Sequence, residues 1–223
     1  MYAKKKIASL GLLLVLGLMS VIAIMPTKAL TPTPTCPPDS SKYGFESVDV
    51  FWVKQTYIDS QAVTAVAQSK RRMAKFGCYS LQLTVDLVSG HEKKSKGEAY
   101  VDMRFFAPTG VNIPVNLEGV RITAWVYVPG DAAGDPESPN GVQIFVKDNN
   151  SVESKSEYAT WFNLRDYTDR WIRISLSPSR EAPPDGYMDS GFDPTKIIII
   201  GVKIGTGRNS IYRGPIYIDG VNW

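Results

Sequence analysis

The sequence carries a single histidine, His91, and two cysteines, Cys36 and Cys78, in 223 residues. One histidine excludes histidine clusters on a metal. His91 also sits in a lysine-rich stretch, "SGHEKKSKGE", which gives no support to a Ser-His-Asp or a Cys-His arrangement. The glycine-rich string "GTGR" at Gly205–Arg208 precedes a strand pattern, so it is a turn and not a phosphate loop. No segment repeats at a fixed period, which argues against a propeller or a solenoid. No helical periodicity is convincing anywhere in the chain beyond its first segment.

The only long apolar run lies at the start. Lys4, Lys5 and Lys6 precede Ile7–Met25, and small residues follow at Thr27 and Ala29. This is the pattern of a secretory signal peptide over residues 1–29, with cleavage after Ala29. The run is also long enough to approach a membrane span, so an uncleaved anchor is the alternative, and the only membrane contact foreseen. Either arrangement places the rest of the chain outside the cytoplasm, extracellular or at the cell surface. Removing Lys4, Lys5, Lys6 and Lys28 from the 25 basic residues leaves 21 against 22 acidic ones. The basic excess belongs to the leader, and a nucleic-acid partner loses its electrostatic basis. The two cysteines suit an oxidising compartment, where a Cys36–Cys78 bridge is one open arrangement.

Residues 30–42 contain "TPTPTCPP", which can form neither helix nor central strand and serves as an extended linker. From Tyr43 to Trp223 the period is two. Phe45–Val50 is expected as a first strand and Trp52–Ile58 as a loop or short edge segment with exposed aromatics. Further strands are expected at 62–68, 79–87, 100–106, 120–128, 142–147, 158–164, 171–176, 197–204 and 216–221. Many short strands separated by turn signals predict an all-β, two-sheet antiparallel β-sandwich of the jelly-roll type.

The strings "YGFES", "FGCYSLQL", "ITAWVYVPGD", "GVQIFVKDNN", "WFNL", "RWIRISL", "GFDPTKIIIIGVKI" and "GPIYIDGVNW" occur in that order. Together they resemble the jelly-roll, galactose-binding-like carbohydrate-binding modules attached to bacterial mannanases and glucanases. The resemblance spans residues 43–223. It implies a structural Ca²⁺ where the first strand meets the last, held by acids matching Glu46 and Asp219 with carbonyls near Cys78–Ser80. Calcium chemistry agrees, since the ion takes six to eight hard oxygens. Asp219 inside an apolar strand would be costly if buried without a partner.

Alternation divides each strand into a core set and an outward set, and over 197–204 the core set is Ile198, Ile200, Val202 and Ile204. Opposite the apolar positions stand Trp125 and Tyr127, Gln143 and Lys147, Trp161 and Asn163, and Arg104. Rings mixed with planar polar side chains suit a polysaccharide, whose sugars offer C–H faces and hydroxyls. A groove lined by Trp161, Gln143 and Tyr127 is the sharpest form of this expectation.

The favoured function is a non-catalytic polysaccharide-binding module. Its ligand, by resemblance, is a β-mannan or β-glucan, with an anionic polysaccharide left open by Arg104, Arg121 and Lys147, and a separate glycanase is an expected companion. Two other readings stay open at this stage. One is a small secreted jelly-roll glycoside hydrolase or lyase, for which Asp102 with Asp148 or Glu157 are the available carboxylates. The other is an adhesion domain that binds protein through exposed aromatics.

Overall fold

The computed structural model of the protein describes residues 35–47, 52–54, 61–89, 97–105, 107, 109–149 and 154–223. Residues 1–29, expected as a leader, lie outside them, as does His91.

Alternating apolar residues yield strands wherever the sequence shows them. In chain order these are β1 (Trp52–Lys54), β2 (Val63–Gln68), β3 (Leu81–Val88), β4 (Glu98–Arg104) and β5 (Ile122–Tyr127). A small hairpin of β6 (Gly134–Asp135) and β7 (Ser138–Pro139) leads to β8 (Gly141–Asp148). Then come β9 (Ser156–Tyr158), β10 (Phe162–Asn163), β11 (Trp171–Leu176), β12 (Tyr187–Met188), β13 (Ile197–Gly205) and β14 (Ile211–Asn222). Helix among the described residues is limited to 3-10 turns such as Gly130–Ala133 and Pro194–Lys196.

Two antiparallel sheets result. One has seven strands in the order β1-β4-β13-β8-β9-β12, with β10 beside β8. The other has five, in the order β11-β5-β14-β3-β2. Their inner faces make one core that includes Leu83, Leu87, Ile122, Val126, Ile144, Ile204, Ile216 and Ile218, each 1% exposed or less. Each such side chain stabilises the sandwich by roughly 1.5–3 kcal/mol on burial. The β-sandwich expected from the sequence is therefore the observed fold.

Four local expectations need correction. Residues 44–47 are not a strand: Phe45 has φ of 59°, and of the described residues in this stretch only Tyr43 bridges to the last strand, at Val221. Trp52 begins β1, a short edge strand, but is not exposed as expected: it is 3% exposed, packed edge-on to Tyr43 and Phe45. The single strand over 158–164 is two short ones, β9 and β10. In β13 the pairing with β8 slips between Ile197 and Ile199. This β-bulge sends Ile198 and Ile199 to the outer side, while Ile197, Ile200, Val202 and Ile204 face the core. Period-two reading carried Ile198 inward because a bulge has no composition of its own.

The compact unit begins at Thr35, inside the stretch expected as linker. Cys36 is bonded to Cys78, and the Gly77 N–H donates to the Pro37 carbonyl at 2.9 Å. The N-terminal stretch is thus tied to the loop that precedes β3.

Candidate functional site

The outer face of the seven-stranded sheet can be read row by row from its register. Glu98, Gly205 and Gly141 form the first row across β4, β13 and β8. Tyr100, Lys203 and Gln143 form the second. Asp102, Gly201, Phe145, Tyr158 and Tyr187 form the third, across β4, β13, β8, β9 and β12. Arg104, Ile199, Lys147 and Ser156 form the fourth.

Three glycines on this face make room for rings. A Cβ on Gly141 would lie 2.0 Å from Trp161 Cε2, and one on Gly205 would lie 2.7 Å from Trp161 Cη2. The Trp161 indole therefore rests on bare backbone of two neighbouring strands. That seat exists because neither strand projects a side chain there, a usual reason for glycine inside a strand. A Cβ on Gly201 would likewise lie 2.4 Å from the Phe145 ring. Phe145 stacks on Tyr158 (5.6 Å, 27°) and meets Tyr100 edge-on, and Tyr187 tilts against Tyr158 at 6.1 Å. Tyr100, Phe145, Ile198 and Ile199 make a second, smaller apolar cluster outside the main core, with Tyr158 packed against it.

The charged groups beside these rings are paired. Lys203 Nζ meets Glu98 Oε1 at 2.6 Å, and the Tyr100 hydroxyl donates to Glu98 Oε2 at 2.5 Å. Lys203 Nζ also lies 5.1 Å above the Tyr158 ring. Burial raises the Tyr100 and Tyr158 hydroxyls above the ordinary phenol range, so both stay protonated donors. An open cleft of about 830 Å³ starts at Trp161 and Glu98 and is walled by Ser89, Ser138, Thr206, Arg208 and Asn209. It combines one indole face, hydroxyls, amides and a guanidinium.

The structure separates the residues that alternation grouped together. Trp161, Gln143, Lys147, Arg104 and Asn163 all belong to the seven-stranded sheet side. Gln143 is 7% exposed, and its Nε2 donates to the Ala159 carbonyl at 2.7 Å. Asn163 is exposed, and its Oδ1 accepts from the Arg165 N–H. Trp125 and Tyr127 lie on β5, in the other sheet, and face the opposite side of the sandwich. A single groove lined by Trp161, Gln143 and Tyr127 therefore does not exist. Alternation distinguishes the two faces of a strand but not the sheet that the strand joins. Tyr158, Glu98 and the glycine seat were the residues missed. Two glycines at strand ends near a tryptophan were the available signal.

The carboxylates considered for hydrolysis do not converge. Asp102 shares its row with Tyr158, so Glu157, the next residue on β9, projects to the other side of the sheet. Asp148 accepts the Lys155 N–H at Oδ1 and the Asp193 N–H at Oδ2.

The acids expected to hold calcium do meet at one loop. Glu46 Oε1 accepts the N–H groups of Cys78 (2.7 Å) and Tyr79 (2.9 Å). Asp219 Oδ2 accepts those of Lys75 (2.7 Å) and Phe76 (2.9 Å), and its Oδ1 accepts from Gly220 (2.7 Å). Burial pushes Asp219 up to about 6 against the opposing pull of these amides. The carbonyls of Cys78 and Ser80, expected as further ligands, accept from Arg72 and Ser69. Among the described residues no three His, Cys, Asp or Glu side chains converge. In this structure these oxygens face N–H donors, whereas Ca²⁺ takes about six to eight oxygens. The clamp itself is present, made of charge-assisted hydrogen bonds. We expect superimposable melting curves in EDTA and in millimolar Ca²⁺, with Asp219→Asn lowering both equally; a calcium-dependent rise would restore the metal.

No protein-family model matches the chain, and no curated protein does. Among solved structures it is similar to a protein from work on the promiscuous specificity of carbohydrate-binding modules of the β-sandwich superfamily. The identity is 20% and the TM-score 0.52, over 84% of this chain and 62% of that one. This chain thus spans less than two thirds of that relative's length. It is also similar to a Caldicellulosiruptor saccharolyticus family 27 module solved with mannohexaose (17% identity, TM-score 0.46, 78% and 90% of the two chains). A third is a family 28 module specific for non-crystalline cellulose (10% identity, TM-score 0.48, 85% and 98%). The chain has the fold of the β-sandwich carbohydrate-binding modules.

Proposed function

We propose that this protein is a non-catalytic polysaccharide-binding module whose ligand lies in the cleft beside Trp161. The observation that carries the reading is the seating of that indole on Gly141 and Gly205. The indole lies against backbone that carries no side chain on either strand, which fixes its place at the edge of the cleft. Hydroxyls, amides and one guanidinium at Ser89, Ser138, Thr206, Asn209 and Arg208 flank it. A sugar ring has the same two needs, an apolar face to stack and hydroxyls to bond. The ligand class is a β-linked mannan or glucan, and the place of action is outside the cytoplasm. The leader pattern and the Cys36–Cys78 bridge support that location.

Affinity electrophoresis against soluble mannan, mixed-linkage glucan and xylan tests the function. The folded protein should be retarded by at least one of them. Trp161→Ala should weaken that binding about tenfold or more, with a nearly unchanged melting temperature, because the ring lies outside the core. A folded protein that none of the three retards would remove the proposal.

A further inference from the structure

The five-stranded sheet carries an aromatic row of its own on its outer face. Trp171 on β11 lies directly opposite Tyr127 on β5, and Tyr127 lies directly opposite Tyr217 on β14. Their ring centroids are 5.7 Å and 6.1 Å apart. Gln82 on β3 continues the row beyond Tyr217. All three rings are half-buried. The core has no need of them, since Val126, Ile172, Ile216 and Ile218 on the inner sides of the same strands already fill it. Their polar tips are free: among the described residues, neither hydroxyl and not the indole N–H has a hydrogen-bond partner.

We infer that this row is a second glycan-binding surface, which takes a polysaccharide chain lying across the strands. The row crosses four adjacent strands, so at a spacing of ~4.8 Å it is roughly 15 Å long, room for several sugar rings in line. The rings offer tilted apolar faces, and the tips of Tyr127, Tyr217, Trp171 and Gln82 offer donors and acceptors along the edge. The row holds no ionised group. The acid nearest in register, Asp219, is buried and bonded to backbone amides, and Lys75 Nζ already covers Trp125 at 4.2 Å. A polyhydroxylated chain satisfies both the faces and the tips, and Arg173, exposed one row away opposite Trp125, adds a further donor. This inference takes its ligand class from the function proposed above. It adds that the module is bivalent, with one chain on each side of the sandwich, so it cross-links the polysaccharide it binds.

The test uses the full folded chain with soluble glucomannan and mixed-linkage glucan. Wild-type protein should raise light scattering at sub-saturating ratios, and calorimetric titration should require two sites. Trp161→Ala and Tyr217→Ala should each abolish the scattering and leave one site. The Tyr127→Phe/Tyr217→Phe double variant removes only hydroxyls and keeps the rings; it should weaken the second site about tenfold even if Tyr217→Ala folds poorly. One site in the wild type, lost with Trp161→Ala and untouched by the tyrosine variants, overturns the inference and leaves the proposed function standing. Absence of all binding removes both. Concentration-dependent dimerisation that Tyr217→Ala abolishes assigns the row to a second copy and overturns the glycan reading.

Discussion

Loss of the Cys36–Cys78 bridge, by reduction or by Cys36→Ser/Cys78→Ser replacement, should lower the unfolding free energy by about 4 kcal/mol. The bridge closes a loop of sequence separation 42. Constraining a loop of that size removes enough unfolded-state entropy to give about 4 kcal/mol on the chain-entropy account. Folded-state contacts add to it. The bridge holds Pro37 against Gly77, and residues 75–79 donate the amides that satisfy Glu46 and Asp219. Urea unfolding with and without reductant measures the difference. A change below about 1 kcal/mol would mean that those hydrogen bonds hold the N-terminal stretch unaided.

Glu157→Gln should abolish most of a pH dependence that runs opposite to ordinary acid denaturation. Glu157 is 0% exposed; its Oε2 accepts a long bond from the Ser179 N–H (3.2 Å), and among the described residues its Oε1 has no partner. Burial pushes the carboxyl up from 4.5 to about 7. The folded state thus holds this proton at pH values where the unfolded state has released it. The stability it contributes is complete below about pH 4.5 and is lost as pH rises to about 7. A shift of that size corresponds to about 3 kcal/mol. The glutamine variant should match the wild type near pH 4 and exceed it by up to that amount at pH 8. Asp219, pushed up to about 6 by burial, gives a slope of the same sign that ends lower, so some slope remains below pH 6 in the variant. Melting temperatures of both proteins from pH 4 to 8 decide the matter. A constant offset between them would show that Glu157 does not titrate in this range.

The fold was legible because alternation survives in nearly every strand. Leu81, Leu83, Val85 and Leu87 face the core as their spacing requires. So does the pairing of Trp171–Leu176 with β5, where the expected and observed ends coincide. The site was only half legible. Trp161, Gln143, Lys147, Arg104 and Asn163 share one side of the molecule, whereas Trp125 and Tyr127 share the other. Sheet membership depends on which strands pair across long sequence distances, and a local pattern carries no record of that. The bulge at Ile198 and the positive φ of Phe45 were hidden for a related reason. Each is a backbone event imposed by neighbours far away in sequence. The acid pair Glu46 and Asp219 came together as expected, but its partners are amides, which every residue type but proline supplies.

The knot of contacts at residues 75–79 also sets how the protein carries load. Tension applied through Cys36 passes by a covalent bond into Cys78, three residues before β3. That strand is held on both sides, by β14 and by β2. Force therefore enters the sheet at an interior strand and is shared between two ladders of hydrogen bonds. Without the bridge, the same pull would peel the Gly77–Pro37 hydrogen bond and then the Tyr43–Val221 contact, one bond at a time. A module tethered at this end would resist flow at the surface to which it is bound, because forced detachment and forced unfolding are governed by rates under load rather than by equilibrium stability.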